Sequence, residues 1–268
     1  MISSRQRLIA EIGARLSTTL IALDFDGTLA PIVADPRTSS PVDGTVEVLR
    51  SLAQRGAQVA LITGRDAATA IRLSGLESVP NLIVDGLYGA QRWQDGELFS
   101  PAEPESITRA RVELTARVGP SALARGVWIE DKVLSLVIHA RRTADPAQEL
   151  AALKGTVRDL AAQVGLEVHP GRDVLELRLP DFDKGRAIRT LAEASAATAV
   201  LFAGDDLGDL PAFAALVDLR ARGLVTCSVA VNCGDVAEIA DVGDLTVASP
   251  AELVQLLGEI GADQINAN

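Results

Sequence analysis

Asp24 and Asp26 close the apolar run Leu20-Ile21-Ala22-Leu23, and Gly27-Thr28 follows directly. A short run of branched residues reads as a buried strand, and residues two apart on a strand point the same way. Both carboxylates therefore leave the strand tip together. At about 4 Å they repel by about 4 kcal/mol at an effective dielectric near 20, so the pair stays ionised only with a cation or hydrogen-bond donors between them. A hard ion that takes oxygen ligands, Mg²⁺ being the expected one, meets that need. A polar strand-end turn uses the same residue types, and this segment alone leaves both readings open.

Three further clusters follow along the chain: Thr63-Gly64-Arg65 after the run Val59 to Ile62, Lys184-Gly185 at the start of a helical stretch, and Gly204-Asp205-Asp206-Leu207-Gly208-Asp209 after the run Val200 to Ala203. Each alone has an ordinary use. Thr63 suits a helix cap, Lys184 a solvated surface, and the aspartates a capped turn. In an open parallel sheet, however, ligands bind beyond the carboxyl ends of the strands, so all four clusters are expected at one edge. Together they supply a carboxylate nucleophile, hydroxyl and ammonium groups for phosphoryl oxygens, and carboxylates for a metal. Those are the requirements of phosphoryl transfer.

The elements that must position these residues follow from hydrophobic spacing. Helices are expected over 4–16, 43–54 and 66–73, with strands over 20–25, 58–62 and 82–84. That βαβ pattern argues for a parallel sheet with helices on its faces. The middle changes character, with a helix ending near Val118, strands over 127–130 and 133–139, a helix over 146–164, and strands over 166–169 and 174–179. Alternation then resumes with helices over 184–194, 210–216 and 250–260 and strands over 199–203, 228–232 and 245–248. The expected architecture is an α/β core over 1–100 and 180–268 that carries an inserted α+β module over 101–179. The proline-containing loops over 98–104 and 180–183 are its expected hinges, and closure about them would exclude water.

With 25 basic against 36 acidic residues the formal charge is −11, which opposes binding to nucleic acid or an anionic membrane surface. No stretch approaches the roughly 20 apolar residues of a membrane span, and residues 1–14 are too interrupted by polar groups for a signal peptide. The two cysteines, Cys227 and Cys233, fit neither a disulfide framework nor a zinc site. They read as small buried residues in a reducing compartment, so a cytoplasmic location is expected.

The four clusters match the order DxDGT, Thr or Ser, Lys, then GDxxxD, and the chain resembles the haloacid dehalogenase superfamily of phosphohydrolases, with an insertion like its type-2 cap. The likeness narrows to trehalose-6-phosphate phosphatases. Ala30-Pro31-Ile32 and Asp35-Pro36 follow the first motif; Gly126-Val127-Trp128-Ile129-Glu130-Asp131-Lys132 with Ser135-Leu136 and His139-Ala140-Arg141 is similar to the cap signature; and 171–178, followed by Pro180, is similar to the stretch that joins cap to core. Two departures stand out. Gly208-Asp209-Leu210 replaces Thr then Asp-Glu in the last motif, and Tyr88 stands where a His is common before Gly89.

The resemblance implies a Mg²⁺-dependent phosphatase acting on trehalose 6-phosphate through an aspartyl-phosphate. Asp24 would be the nucleophile and Asp26 the acid and base, with Thr63 and Lys184 on the phosphoryl oxygens and Asp24, Asp26 (through its carbonyl), Asp205 and Asp209 about the metal. Gly64, Arg65, Glu130, Lys132 and Glu176 would contact substrate. Functional coupling to a trehalose-6-phosphate synthase is a further implied partnership. A sucrose-phosphate or mannosyl-phosphoglycerate phosphatase, a phosphotransferase or mutase, and a non-catalytic sugar-phosphate sensor are the alternatives. His139 reads as a structural histidine on an apolar strand, and His169, before Pro170, as a loop residue.

Overall fold

The computed structural model describes residues 4–171, 173–231 and 242–262. The chain divides into two compact units, Met1–Ser100 with Asp183–Asn268, and Pro101–Phe182.

The first unit is built on strands β1 (Thr19–Leu23), β2 (Gln58–Ile62), β3 (Ile83–Gly86), β4 (Gln91–Gln94), β5 (Glu97–Phe99), β10 (Ala199–Gly204), β11 (Val225–Val231) and β12 (Leu245–Val247). They form one sheet in the order β12-β11-β10-β1-β2-β3-β4-β5. The sheet is parallel from β12 to β3 and antiparallel from β3 to β5. Alternate residues of β1 serve the two faces. Ile21 and Leu23 join a core with Ile12 of α1 (Ser4–Gly13), Leu49 of α2 (Thr45–Gln54), Ile71 of α3 (Ala67–Ser74) and Leu253 of α8 (Pro250–Ala262). Leu20 and Ala22 join another with Ile188 of α6 (Lys184–Ala194) and Phe213 of α7 (Leu210–Ala221). Burial on both faces explains why these strands read as continuous apolar runs. The Rossmann-like α/β architecture expected from the sequence is borne out.

The hairpin β4–β5 is absent from the sequence reading, because Gln91-Arg92-Trp93-Gln94 lacks apolar alternation. Its turn did carry a signal: Asp95 and Gly96 have φ of 53° and 82°, the positive values that a two-residue hairpin turn needs. Leu98, expected in a hinge loop, is therefore a strand residue.

The second unit is a four-stranded antiparallel sheet, ordered β6-β7-β9-β8, of β6 (Trp128–Asp131), β7 (Ser135–His139), β8 (Glu167–Gly171) and β9 (Val174–Arg178). Leu136, Ile138, Leu175 and Leu177 face a core shared with α4 (Glu105–Ala124) and α5 (Pro146–Val164). Helix α4 breaks at Gly119, where φ is 79°, ahead of Pro120, close to the expected end at Val118. Register puts Trp128, Glu130, Ser135, His139, Glu176 and Arg178 on the opposite face. His169 lies on β8, paired with Glu176 on β9, as the expected strand over 166–169 has it and against its reading as a loop residue; the strand runs on through Pro170 to Gly171. Among the described residues no helix is long and apolar enough to cross a membrane. Cys227 is buried, which pushes its thiol up to about 12; Cys233 lies outside the described residues.

Candidate active site

Parallel register assembles the site. Leu23 pairs with Ala203 on one side and Leu61 on the other, so the residues after β1, β2 and β10 emerge side by side. The Asp24 N–H donates to the Ala203 carbonyl at 3.0 Å, locking the first and last clusters together. Gly27, with φ of 88°, lies so close to Asp205 that a Cβ there would fall 2.0 Å from its Oδ2. From the other face, α6 delivers Lys184. Gly185 permits this, since a Cβ at that position would lie 2.2 Å from the Pro211 carbonyl oxygen.

Carboxylate oxygens of Asp24, Asp205 and Asp209 all lie within 4.8 Å of one another. The Lys184 ammonium sits 2.6 Å from Asp24 Oδ1 and 2.6 Å from Asp209 Oδ1. The other Asp209 oxygen accepts from the Asp205 and Asp206 N–H groups at 2.9 and 3.1 Å, and Thr28 donates to Asp205 Oδ1 at 2.9 Å. Asp24, Lys184 and Asp209 are buried. Three carboxylates against one ammonium leave a net negative cluster, and a net negative cluster holds its protons. Burial, with Asp209 and Asp205 adding, raises Asp24 well above the usual carboxylate range although Lys184 opposes it. Burial and the neighbouring Asp209 and Asp206 push Asp205 up to about 7. Burial alone would depress Lys184, yet Asp209 and Asp24 together hold it well above its ordinary value. The donor set is all oxygen and short of positive charge, which fits a hard divalent cation. A group of three acids able to hold a metal ion is thus present.

The Asp26 carboxylate lies outside that group. It is held by Arg65, at 2.5 Å (Nε) and 2.7 Å (Nη2), and by Ser39 at 2.9 Å. Thr63 is buried at the end of β2. Its N–H donates to the Asp85 carbonyl and its hydroxyl accepts from the Arg65 N–H; the cap of α3 is Asp66, not Thr63. Tyr88 donates its N–H to the Thr63 carbonyl, and its hydroxyl packs on the Gly64 backbone.

On the second unit, Glu176 is buried and accepts from Ser135 at 2.8 Å, with the Lys132 ammonium 3.9 Å away. Glu130 meets His139 Nε2 at 2.8 Å. His139 in turn stacks on Trp128, their ring centroids 4.2 Å apart. Sequence reasoning left Thr28, Ser39 and Asp85 without roles. Asp85 ends an apolar strand just as Asp24 does, and that signal was legible; buried, it takes a two-pronged contact from Arg92 at 2.7 and 2.8 Å. Ser39 carried no local signal, because only the folded chain brings it to Asp26.

The chain matches the trehalose-phosphatase family over residues 22–244. It is 30% identical to a trehalose-phosphate phosphatase of Mycobacterium marinum over 93% of this chain and 63% of that relative, and so spans less than two thirds of the relative's length. Among solved structures, it superimposes on an Aspergillus fumigatus trehalose-6-phosphate phosphatase with a TM-score of 0.69 at 26% identity, covering 97% of each chain. The C-terminal domain of a Candida albicans trehalose-6-phosphate phosphatase gives 0.79 at 22% identity over 96% of each, a likeness of fold.

Proposed function

The chain belongs to the trehalose-phosphatase family, and from that premise we propose that it hydrolyses trehalose 6-phosphate to trehalose and phosphate through a phosphorylated Asp24. The observation that carries this reading is the buried Asp24–Lys184–Asp209 chain beside Asp205 at a parallel strand edge. Asp24 attacks phosphorus, and the sugar oxygen leaves. Asp26 gives that oxygen a proton, then takes one from the water that cleaves the aspartyl-phosphate. One carboxyl serves both steps because its protonation alternates between them. Lys184 and Thr63, with the Gly64 backbone, hold the phosphoryl oxygens as charge spreads over them. Asp209 works largely through Lys184 and the Asp205–Asp206 backbone, since donors engage both its oxygens.

Asp24 and Asp205, with the Asp26 carbonyl and support from Asp209, would hold Mg²⁺. Bound there, it neutralises charge on the nucleophile and on the phosphoryl group.

The second unit, over 101–179 in the sequence reading, serves as the specificity module. Glu130 and Glu176 accept from sugar hydroxyls and Lys132 donates. A cytoplasmic setting and functional coupling to a trehalose-6-phosphate synthase suit a phosphatase of this substrate. A screen of sugar phosphates tests the reading: trehalose 6-phosphate is expected to give the highest kcat/KM, ahead of sucrose 6-phosphate and mannosyl-3-phosphoglycerate. A better substrate among those would overturn the assignment.

A further inference from the structure

Three side-chain hydrogen bonds hold the Asp26 carboxylate. The turn Pro36–Thr38, capped by the Asp35 carboxylate, ends at Ser39, which is only 2% exposed. Ser39 donates its hydroxyl to Asp26 Oδ1 at 2.9 Å. Arg65 grips both oxygens of the same carboxylate, Nε to Oδ2 at 2.5 Å and Nη2 to Oδ1 at 2.7 Å. A planar fork on a planar carboxylate fixes orientation as well as place, which a point charge does not. Arg65 is itself held. Its carbonyl accepts from the Leu87 N–H, its N–H donates to Thr63 Oγ, and its guanidinium lies 5.6 Å from the Phe25 ring centre.

We infer that Ser39 and Arg65 are positioning residues that aim Asp26 at the departing sugar oxygen, Arg65 acting through Asp26 and not by contact with substrate. The inference deepens the proposed reaction and rests on it. A positioned acid contributes about 10²- to 10⁴-fold, and small displacements of a reacting group forfeit much of such a gain. The contribution matters when an alkoxide leaves. It hardly matters when p-nitrophenolate leaves, because that anion departs without a proton. Loss of a phosphoryl-binding group, by contrast, harms both substrates alike.

The test compares kcat/KM, which reports the steps through leaving-group departure, for trehalose 6-phosphate and p-nitrophenyl phosphate. Ser39→Ala is expected to lower it about tenfold for the sugar phosphate, the size of one hydrogen bond to a charged group. Arg65→Lys keeps the charge and loses the fork; its expected loss is about a hundredfold. The ratio of kcat/KM on trehalose 6-phosphate to that on p-nitrophenyl phosphate should therefore fall, about tenfold for Ser39→Ala and about a hundredfold for Arg65→Lys. Arg65→Lys carries the test by itself if Ser39→Ala loses its fold. Equal losses on both substrates would overturn the inference and leave the proposed function standing. If the parent does not cleave trehalose 6-phosphate, the proposed function fails instead, and the same ratio is read on the best sugar phosphate of the screen.

Discussion

The acidic site of the first unit and the polar sheet face of the second handle charge in opposite ways. In the first, Asp24, Lys184 and Asp209 are buried, and the Lys184 ammonium stands 2.6 Å from each of the two carboxylates. In the second, Glu130 is exposed and Lys132 stands 3.9 Å from a buried Glu176. Buried charge at high density is unfavourable unless something answers it. Here the answer is an ammonium and backbone N–H groups, in a cluster of acids able to hold a cation. On the polar face the carboxylates meet a neutral hydroxyl and a histidine, Glu176 with Ser135 and Glu130 with His139, each at 2.8 Å; on the proposed function these are the groups that accept from sugar hydroxyls. On the proposed function, one region answers charge that develops during a reaction and the other serves recognition.

The largest effects should come from the buried region. Asp24→Asn removes the nucleophile and is expected to lower kcat at least about 10⁴-fold with the circular dichroism spectrum unchanged; activity within tenfold of the parent would break the division of labour. Asp205→Asn should cost about 10²- to 10³-fold in kcat and abolish the rise in melting temperature on adding Mg²⁺. Glu176→Gln sharpens the comparison from the other side. It should raise KM for trehalose 6-phosphate by about tenfold while p-nitrophenyl phosphate kinetics stay unchanged, and parallel losses on both substrates would deny the second unit a role in recognition.

The smallest effect is one of pH. Asp205 sits at about 7 in the folded protein, against about 3.9 in an unfolded chain. Folded protein therefore binds this proton more tightly, and without metal it loses stability as pH rises from the unfolded value through about 7. A cation competes for the same carboxylate. The melting-temperature gain on adding Mg²⁺ should accordingly be larger at pH 8 than at pH 6, and an equal gain at both would contradict the competition.

Legibility followed the same division. Asp24, Thr63 and Asp205 stood out because each follows an apolar run, and Lys184 because it opens a helical stretch; parallel register then makes the neighbouring strand ends converge without further information. The α/β fold came from hydrophobic spacing, and the family likeness from the four clusters together with the stretches over 30–36, 126–141 and 171–180. The Asp26–Arg65–Ser39 contact was not readable, since it joins residues 13 and 39 positions apart in sequence through side-chain reach alone. On the second sheet, Lys132, between β6 and β7, comes within 3.9 Å of Glu176 because β7 pairs with β9, an order that hairpin patterns do not specify. The polar strand β4 was missed for want of alternation, though Asp95-Gly96 marked its turn.

The most direct test of the account is to load the Asp26→Asn variant with p-nitrophenyl phosphate, whose leaving group needs no acid, and to map the phosphoryl group after acid quench. The expected result is a burst of p-nitrophenolate stoichiometric with enzyme and a single phosphorylated residue, Asp24. Steady release without a burst, or a phosphoryl group on any other residue, would contradict it.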